Sequence, residues 1–229
     1  MVKIGIPLRY SHLEDGRCIL YLNERVRRTI QKAGGIVIPI VQVQDVDYAD
    51  TRYNELNELT GQEKDMIEKY LDMVDGVLFP GGTKITLFDE YLLKRCIERD
   101  IPALGICLGM QLMGNYNRKF KNEENNSHIN HKQENDDELI HKISIVEGTT
   151  LYNIIGKDEI MVNSYHKYHI IFNEYFVVSA KSDDDYIEAI ELKDKKFIMG
   201  VQWHPEISYE FDDNSKKIID YFISVCKNM

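Results

Sequence analysis

No apolar run in the 229 residues approaches a membrane span, which takes about 20 residues. The opening, Met1-Val2-Lys3-Ile4-Gly5-Ile6-Pro7, is too short an apolar run for a secretory signal. Cysteine is scarce, with four residues: Cys18, Cys96, Cys107 and Cys226. They form no CxxC pair and no Cys/His metal spacing, and disulfide frameworks belong to smaller, cysteine-dense secreted chains. The thiols are therefore expected reduced, in a cytoplasmic protein. Positive charge is in deficit, with 28 Lys and Arg against 38 Asp and Glu and a formal net charge of −10. That balance argues against a nucleic-acid partner. There is no internal repeat, no linker and no metal or cofactor signature, so neither a metal nor a cofactor is expected.

What is present is globular: 43% hydrophobic and 29% charged residues. Apolar strand-like runs lie at residues 2–7, 36–41, 76–79 and 103–106. Helical spacing fills the gaps, as at Leu22, Val26, Ile30 and Ala33 before Gly34-Gly35. Thr60-Gly61-Gln62-Glu63 fits a capping box opening a helix through Val74. Residues 42–59 read as a long polar loop. Strands alternating with helices imply a parallel sheet with both faces covered. Residues 115–142 are rich in Asn, Glu, Lys and His and read as a surface excursion. Later strand-like runs at 143–146, 175–180, 186–192 and 197–203 are closer together, so some should pair antiparallel. The expected fold is an α/β single-domain sandwich. A mainly parallel central sheet is covered by helices, with a smaller mixed or antiparallel portion in the C-terminal half. A last amphipathic helix carries Ile218, Ile219, Phe222, Ile223 and Cys226.

The most informative segment is Gly105-Ile106-Cys107-Leu108-Gly109, a G-x-C-x-G form of the nucleophile elbow. A strand must turn sharply into a helix with the nucleophile at the corner, and flanking glycines remove clashing side chains. Cys107 then sits at the carboxyl end of a strand and at a helix N-terminus, which favours thiolate. The Leu108 N–H points where an oxyanion would form. The competing reading is a buried structural cysteine between helix-packing glycines. Cys96 and Cys226 fall on apolar helix faces and read as core; Cys18 has no evident place.

A thiol nucleophile needs a base. His204 follows the run ending at Trp203, also at a strand end, and Glu206 is close enough to orient it. His166 is the rival base. His128, His131 and His141 sit in or beside the polar excursion and are expected at the surface.

Together, Gly105 to Gln111 and Gly200-Val201-Gln202-Trp203-His204-Pro205-Glu206 resemble the class I glutamine amidotransferase superfamily. Trp203, Val162-Asn163-Ser164-Tyr165-His166 and Ile4-Gly5-Ile6-Pro7 are most similar to its γ-glutamyl hydrolase branch, which includes the γ-glutamyl-γ-aminobutyrate hydrolases. The resemblance implies one class I glutamine amidotransferase-like domain over residues 1–229 and a γ-glutamyl thioester mechanism. Cys107 attacks, His204 moves the proton and Glu206 orients it. Leu108 with Gly81 or Gly82 gives the oxyanion hole, and Gln111, Asn163, Ser164, Tyr165 and His166 hold the glutamyl end. Asn163 and Ser164 also read simply as turn formers. The expected partner is a small-molecule γ-glutamyl substrate, without nucleic acid or membrane. The alternative is a glutaminase component feeding a separate synthetase subunit. A catalytically silent binding protein is a third reading, disfavoured by the complete triad. Leu108 stands where γ-aminobutyrate hydrolases carry Arg, and Thr83-Lys84-Ile85-Thr86 replaces an acidic, Pro-rich continuation. Both departures bear on the amine half of the substrate.

Overall fold

The computed structural model describes residues 1–46, 51, 55–136 and 138–228. The apolar opening forms strand β1 (Val2–Pro7), and a hairpin follows, β2 (Arg9–His12) and β3 (Cys18–Tyr21). Next come α1 (Glu24–Lys32), β4 (Gly35–Ile40), α2 (Gly61–Asp72), β5 (Gly76–Phe79) and α3 (Leu87–Glu98). Strand β6 (Ala103–Ile106) leads into α4 (Leu108–Gly114), then β7 (Asn122–Glu124), β8 (His141–Ile145), α5 (Thr150–Ile155) and β9 (Glu159–Val162). The chain closes with β10 (Tyr168–Ile170), β11 (Val177–Ser182), β12 (Ile187–Glu191), β13 (Ile198–Val201), α6 (Pro205–Ser208) and α7 (Asp213–Lys227).

The expected capping box is formed: the Thr60 hydroxyl accepts from Glu63 N, and Glu63 returns a carboxylate to Thr60 N at 2.7 Å. Satisfying two otherwise orphaned donors sets where α2 begins. Of the expected 42–59 loop, residues 47–50 and 52–54 lie outside the described residues.

The central sheet has nine strands in the order β4-β1-β5-β6-β13-β12-β11-β8-β9. The run β4 to β13 is parallel, and β12, β11, β8 and β9 add antiparallel. This is the α/β architecture expected from the alternating pattern. On one face Val26, Ile30, Leu151, Ile155, Ile218 and Phe222 pack against Ile4, Leu104 and Ile106. On the other, Ile67, Leu71, Phe88, Leu92 and Leu112 pack against Val77, Phe79 and Ala103. Fully buried side chains such as Phe79, Phe88 and Phe222 each contribute about 1.5–3 kcal/mol relative to exposure. No helix among the described residues is long and apolar enough to cross a membrane.

The polar stretch 115–142 departs from expectation. His128 is exposed, but His131 and His141 are 4% and 5% exposed, and Asn115 and Gln133 are also buried. The surface reading of His131 and His141 is therefore corrected. The segment is drawn inward by backbone pairing: β7 joins β10, Gln133 N donates to Ser164 O, and His166 N donates to His131 O. Polar side chains enter an interior when partners meet them there, which composition does not reveal. Cys18 lies exposed at the start of β3.

Candidate active site

Cys107 sits between β6 and α4 at φ 51°, ψ −102°, a conformation that costs a non-glycine residue on the order of 1–3 kcal/mol. Neighbours hold it there. Cys107 N donates to Val201 O of β13, and Cys107 O accepts from Gln111 N. Both flanking glycines are required sterically. A Cβ on Gly109 would stand 2.2 Å from Phe79 O, and one on Gly105 would stand 2.6 Å from the Gly109 carbonyl carbon. Helix α4 therefore lies directly on β5 and β6, and Cys107 is thrust to the sheet's carboxyl edge, largely buried at 8% exposure.

His204 leaves the adjacent β13 at the same edge and caps α6, where Pro205 occupies the first turn. Its Nδ1 lies 2.7 Å from Glu206 Oε1, with the carboxylate nearly enclosed. Burial disfavours the imidazolium. The charges of Glu206 and Cys107, with hydrogen bonding to both, outweigh it and hold the His204 pKa well above its ordinary value. Asn163 grips the same residue through its backbone: Nδ2 donates to His204 O and Oδ1 accepts from His204 N, each at 2.8 Å. Tyr165 stands edge-on to the imidazole, centroids 5.4 Å apart, and its hydroxyl bonds to Asp136.

A pocket of about 350 Å³ opens beside His204, Glu206 and the Pro80-Gly81-Gly82 turn. Gly81 fits between the two key side chains: a Cβ there would lie 2.9 Å from His204 Cε1 and 3.7 Å from Cys107 Cβ. Leu108 follows Cys107 in the chain, and its side chain packs beside Gly82. Of the residues assigned to the glutamyl end, Tyr165 lines this pocket. The others are engaged within the protein. Gln111 Nε2 donates to Tyr168 O, and its Oε1 accepts from Asn122. Ser164 Oγ donates to His131 O. His166 faces Glu188, its Nε2 3.4 Å from Oε1.

Sequence reading missed Arg9, Arg25 and Asp136. Arg9, 4% exposed, pairs with the fully buried Asp89 at 2.8 Å and donates to Pro80 O at 2.9 Å. It thereby pins the turn that carries Gly81. Arg25 pairs with Asp136, which also receives Tyr165, so the pocket wall carries charges of both signs. No motif marks these residues, because each acts from a different segment.

The Peptidase C26 family matches residues 86–206, just over half of the chain and the stretch containing Cys107, His204 and Glu206. A Rickettsia prowazekii protein described as glutamine amidotransferase-like is 28% identical over 211 residues, covering 63% of this chain and 74% of that protein. The CTP synthase of Chlamydia abortus is 28% identical over 248 residues, covering 89% of this chain but 45% of that enzyme. Among solved structures, the glutaminase domain of Trypanosoma brucei CTP synthase with bound acivicin superposes with a TM-score of 0.65. It is 16% identical, over 100% of this chain and 94% of that one, and so shows the shared fold.

Proposed function

Because the chain belongs to the Peptidase C26 family, within the class I glutamine amidotransferase-like proteins, we propose that it is a cysteine-dependent hydrolase of γ-glutamyl amides. The observation that carries this reading is the strained Cys107 beside a His204 whose pKa is raised by Cys107 and Glu206. Such a pair sets a proton donor and acceptor beside the nucleophilic sulfur. Cys107 Sγ adds to the γ-carbonyl, and the oxyanion is received by N–H groups of Leu108 and of Gly81 or Gly82. His204 gives its proton to the leaving amine, and a γ-glutamyl thioester remains on Cys107. Water, deprotonated by His204, then cleaves the thioester and releases glutamate. Glu206 keeps the imidazole oriented throughout.

The pocket supports a glutamyl head. An α-ammonium and an α-carboxylate both need partners once desolvated, and Asp136 and Arg25 supply one charge of each sign. Asn163 acts one step back, by fixing the His204 backbone. The chain's similarity to CTP synthase favours a second reading, a glutaminase that delivers ammonia to a separate synthetase.

The test is a turnover screen of the isolated chain against γ-glutamyl amines, γ-glutamyl peptides, glutamine and glutaric monoamides. Hydrolysis of γ-glutamyl amines with rejection of the glutaric compounds is expected, since compounds without the α-ammonium forfeit its contact with Asp136. Glutamine turnover alone, rising on addition of a synthetase, selects the second reading. Equal turnover of glutaric monoamides overturns the substrate class.

A further inference from the structure

Behind the catalytic edge lies a cluster that the proposed chemistry does not use. His131, His141, His166 and Glu188 converge from the loop after β7, the start of β8, the β9–β10 turn and β12. They are 4%, 5%, 3% and 0% exposed. One potential ligand atom from each lies within 4.8 Å of all the others. Glu188 Oε1 stands 3.5 Å from His131 Nδ1, 3.9 Å from His141 Nε2 and 3.4 Å from His166 Nε2. Ligands about 2.0–2.2 Å from a tetrahedral zinc ion are themselves separated by about 3.4 Å.

The outward nitrogens decide which atoms face inward. His131 Nε2 contacts Asp184 Oδ2 at 2.9 Å, His141 Nδ1 contacts Lys142 O at 3.2 Å, and His166 Nδ1 contacts Tyr168 O at 3.1 Å. The outer acceptors of His131 and His141 call for an N–H, so their inner nitrogens present a lone pair in the neutral ring. His166 Nδ1 faces both the Tyr168 carbonyl and, at 3.2 Å, Asn125 Nδ2, and its Nε2 presents a lone pair in the tautomer that donates to Tyr168 O. Those three inner nitrogens and both Glu188 oxygens are buried and make no hydrogen bond. In that tautomer five acceptors face one another in a buried interior, and leaving such groups unpaired is costly. A cation at their centre removes that cost, and the imidazole-rich, one-carboxylate donor set suits zinc.

The geometry points to a closed, four-coordinate structural zinc site formed by His131, His141, His166 and Glu188. With four protein ligands it keeps no open position for substrate, so its role is to fasten the fold. It ties the polar segment and the β9–β10 turn to the central sheet. Ser164, two residues before His166, donates to His131 O, and Glu188 O accepts from Gln202 N, two residues before His204. The ion therefore braces the segments that carry Asn163 and His204.

The full chain, purified without chelators, is assayed for metal by mass spectrometry, then stripped with 1,10-phenanthroline and reloaded. About one zinc per chain is expected, with stripping lowering Tm by roughly 5–10 °C and Zn²⁺, but not Mg²⁺, restoring it. Cobalt(II) in the stripped wild-type chain should give the intense visible absorption of a tetrahedral site. Glu188→Gln and His131→Ala should lose the metal; Cys107→Ser should keep it. Should the stripped variants fail to fold, the wild-type cobalt spectrum and Tm recovery still decide. A Tm indifferent to zinc overturns the proposal. So does metal that is lost in Cys107→Ser, which would place it on Cys107 and His204 instead.

Discussion

Asn163 holds His204 by both polar groups of its backbone, donating to the carbonyl and accepting from the amide at 2.8 Å each. Asn163 is fully buried, so neither contact is shared with solvent. The imidazole's direction is thus set from two sides, by Glu206 at the ring and by Asn163 at the main chain.

Replacing Asn163 with Ala leaves the His204 amide without its partner, at a cost of about 1–3 kcal/mol, while the His204 carbonyl keeps only the Ile207 N–H. The expected result is a lower Tm and a kcat reduced at least tenfold, with KM and the ranking of leaving amines little changed. Steady-state kinetics on several γ-glutamyl amines, with thermal melts of the same samples, measure both. A changed amine ranking would place Asn163 against substrate instead.

Cys107→Ala and His204→Asn should each lower kcat by several orders of magnitude while circular dichroism stays native, since nucleophile and base act as a unit. Glu206→Gln should retain measurable turnover, because the orienting group is further from the reacting atoms. A near-normal His204→Asn beside an inactive His166→Asn would reverse the choice of base. The enclosure of His166 against Glu188 argues for the order given.

The raised pKa of His204 has a defined sign. A group whose pKa is higher folded than unfolded stabilises the protein fully below its unfolded value, about 6.5 for histidine. That contribution is lost as pH rises through the folded value. Removing the Cys107 thiol deletes one cause of the shift, so the His204 ring should titrate at lower pH in Cys107→Ser than in wild type. Proton NMR of the imidazole follows this directly. An unchanged midpoint would mean that Cys107 does not couple to His204.

Gly109→Ala would drive a methyl group onto the Phe79 carbonyl, and the backbone of a central strand has little room to give. The expected loss is at least about 1–3 kcal/mol, with activity falling as the Cys107 corner shifts. Gly61→Ala is the control. No atom lies within 4 Å of its added Cβ, so it should be neutral or stabilising by up to about 1 kcal/mol. Chemical denaturation of the two variants compares them.

Local order was legible along the chain. The strands at Val2–Pro7, Gly76–Phe79 and Ala103–Ile106 follow from contiguous apolar residues between turn formers. The Thr60 cap follows from a three-residue spacing. The Cys107 elbow could be read because its requirements, glycines two residues either side and a strand before, are all met by neighbours in sequence. Steric and capping rules act over a few residues, so the amino-acid order alone determines them.

Only the tertiary structure decided what meets across the fold. Arg9 reaches Asp89 and Pro80, Asn163 reaches His204, and His131, His141, His166 and Glu188 meet in one buried cluster. Composition placed His131 and His141 at the surface because polarity ordinarily signals solvent. Whether a polar side chain is buried depends instead on whether distant segments bring it a partner. For those histidines the partners come from three other segments, converging only once the antiparallel strands β12, β11, β8 and β9 extend the sheet.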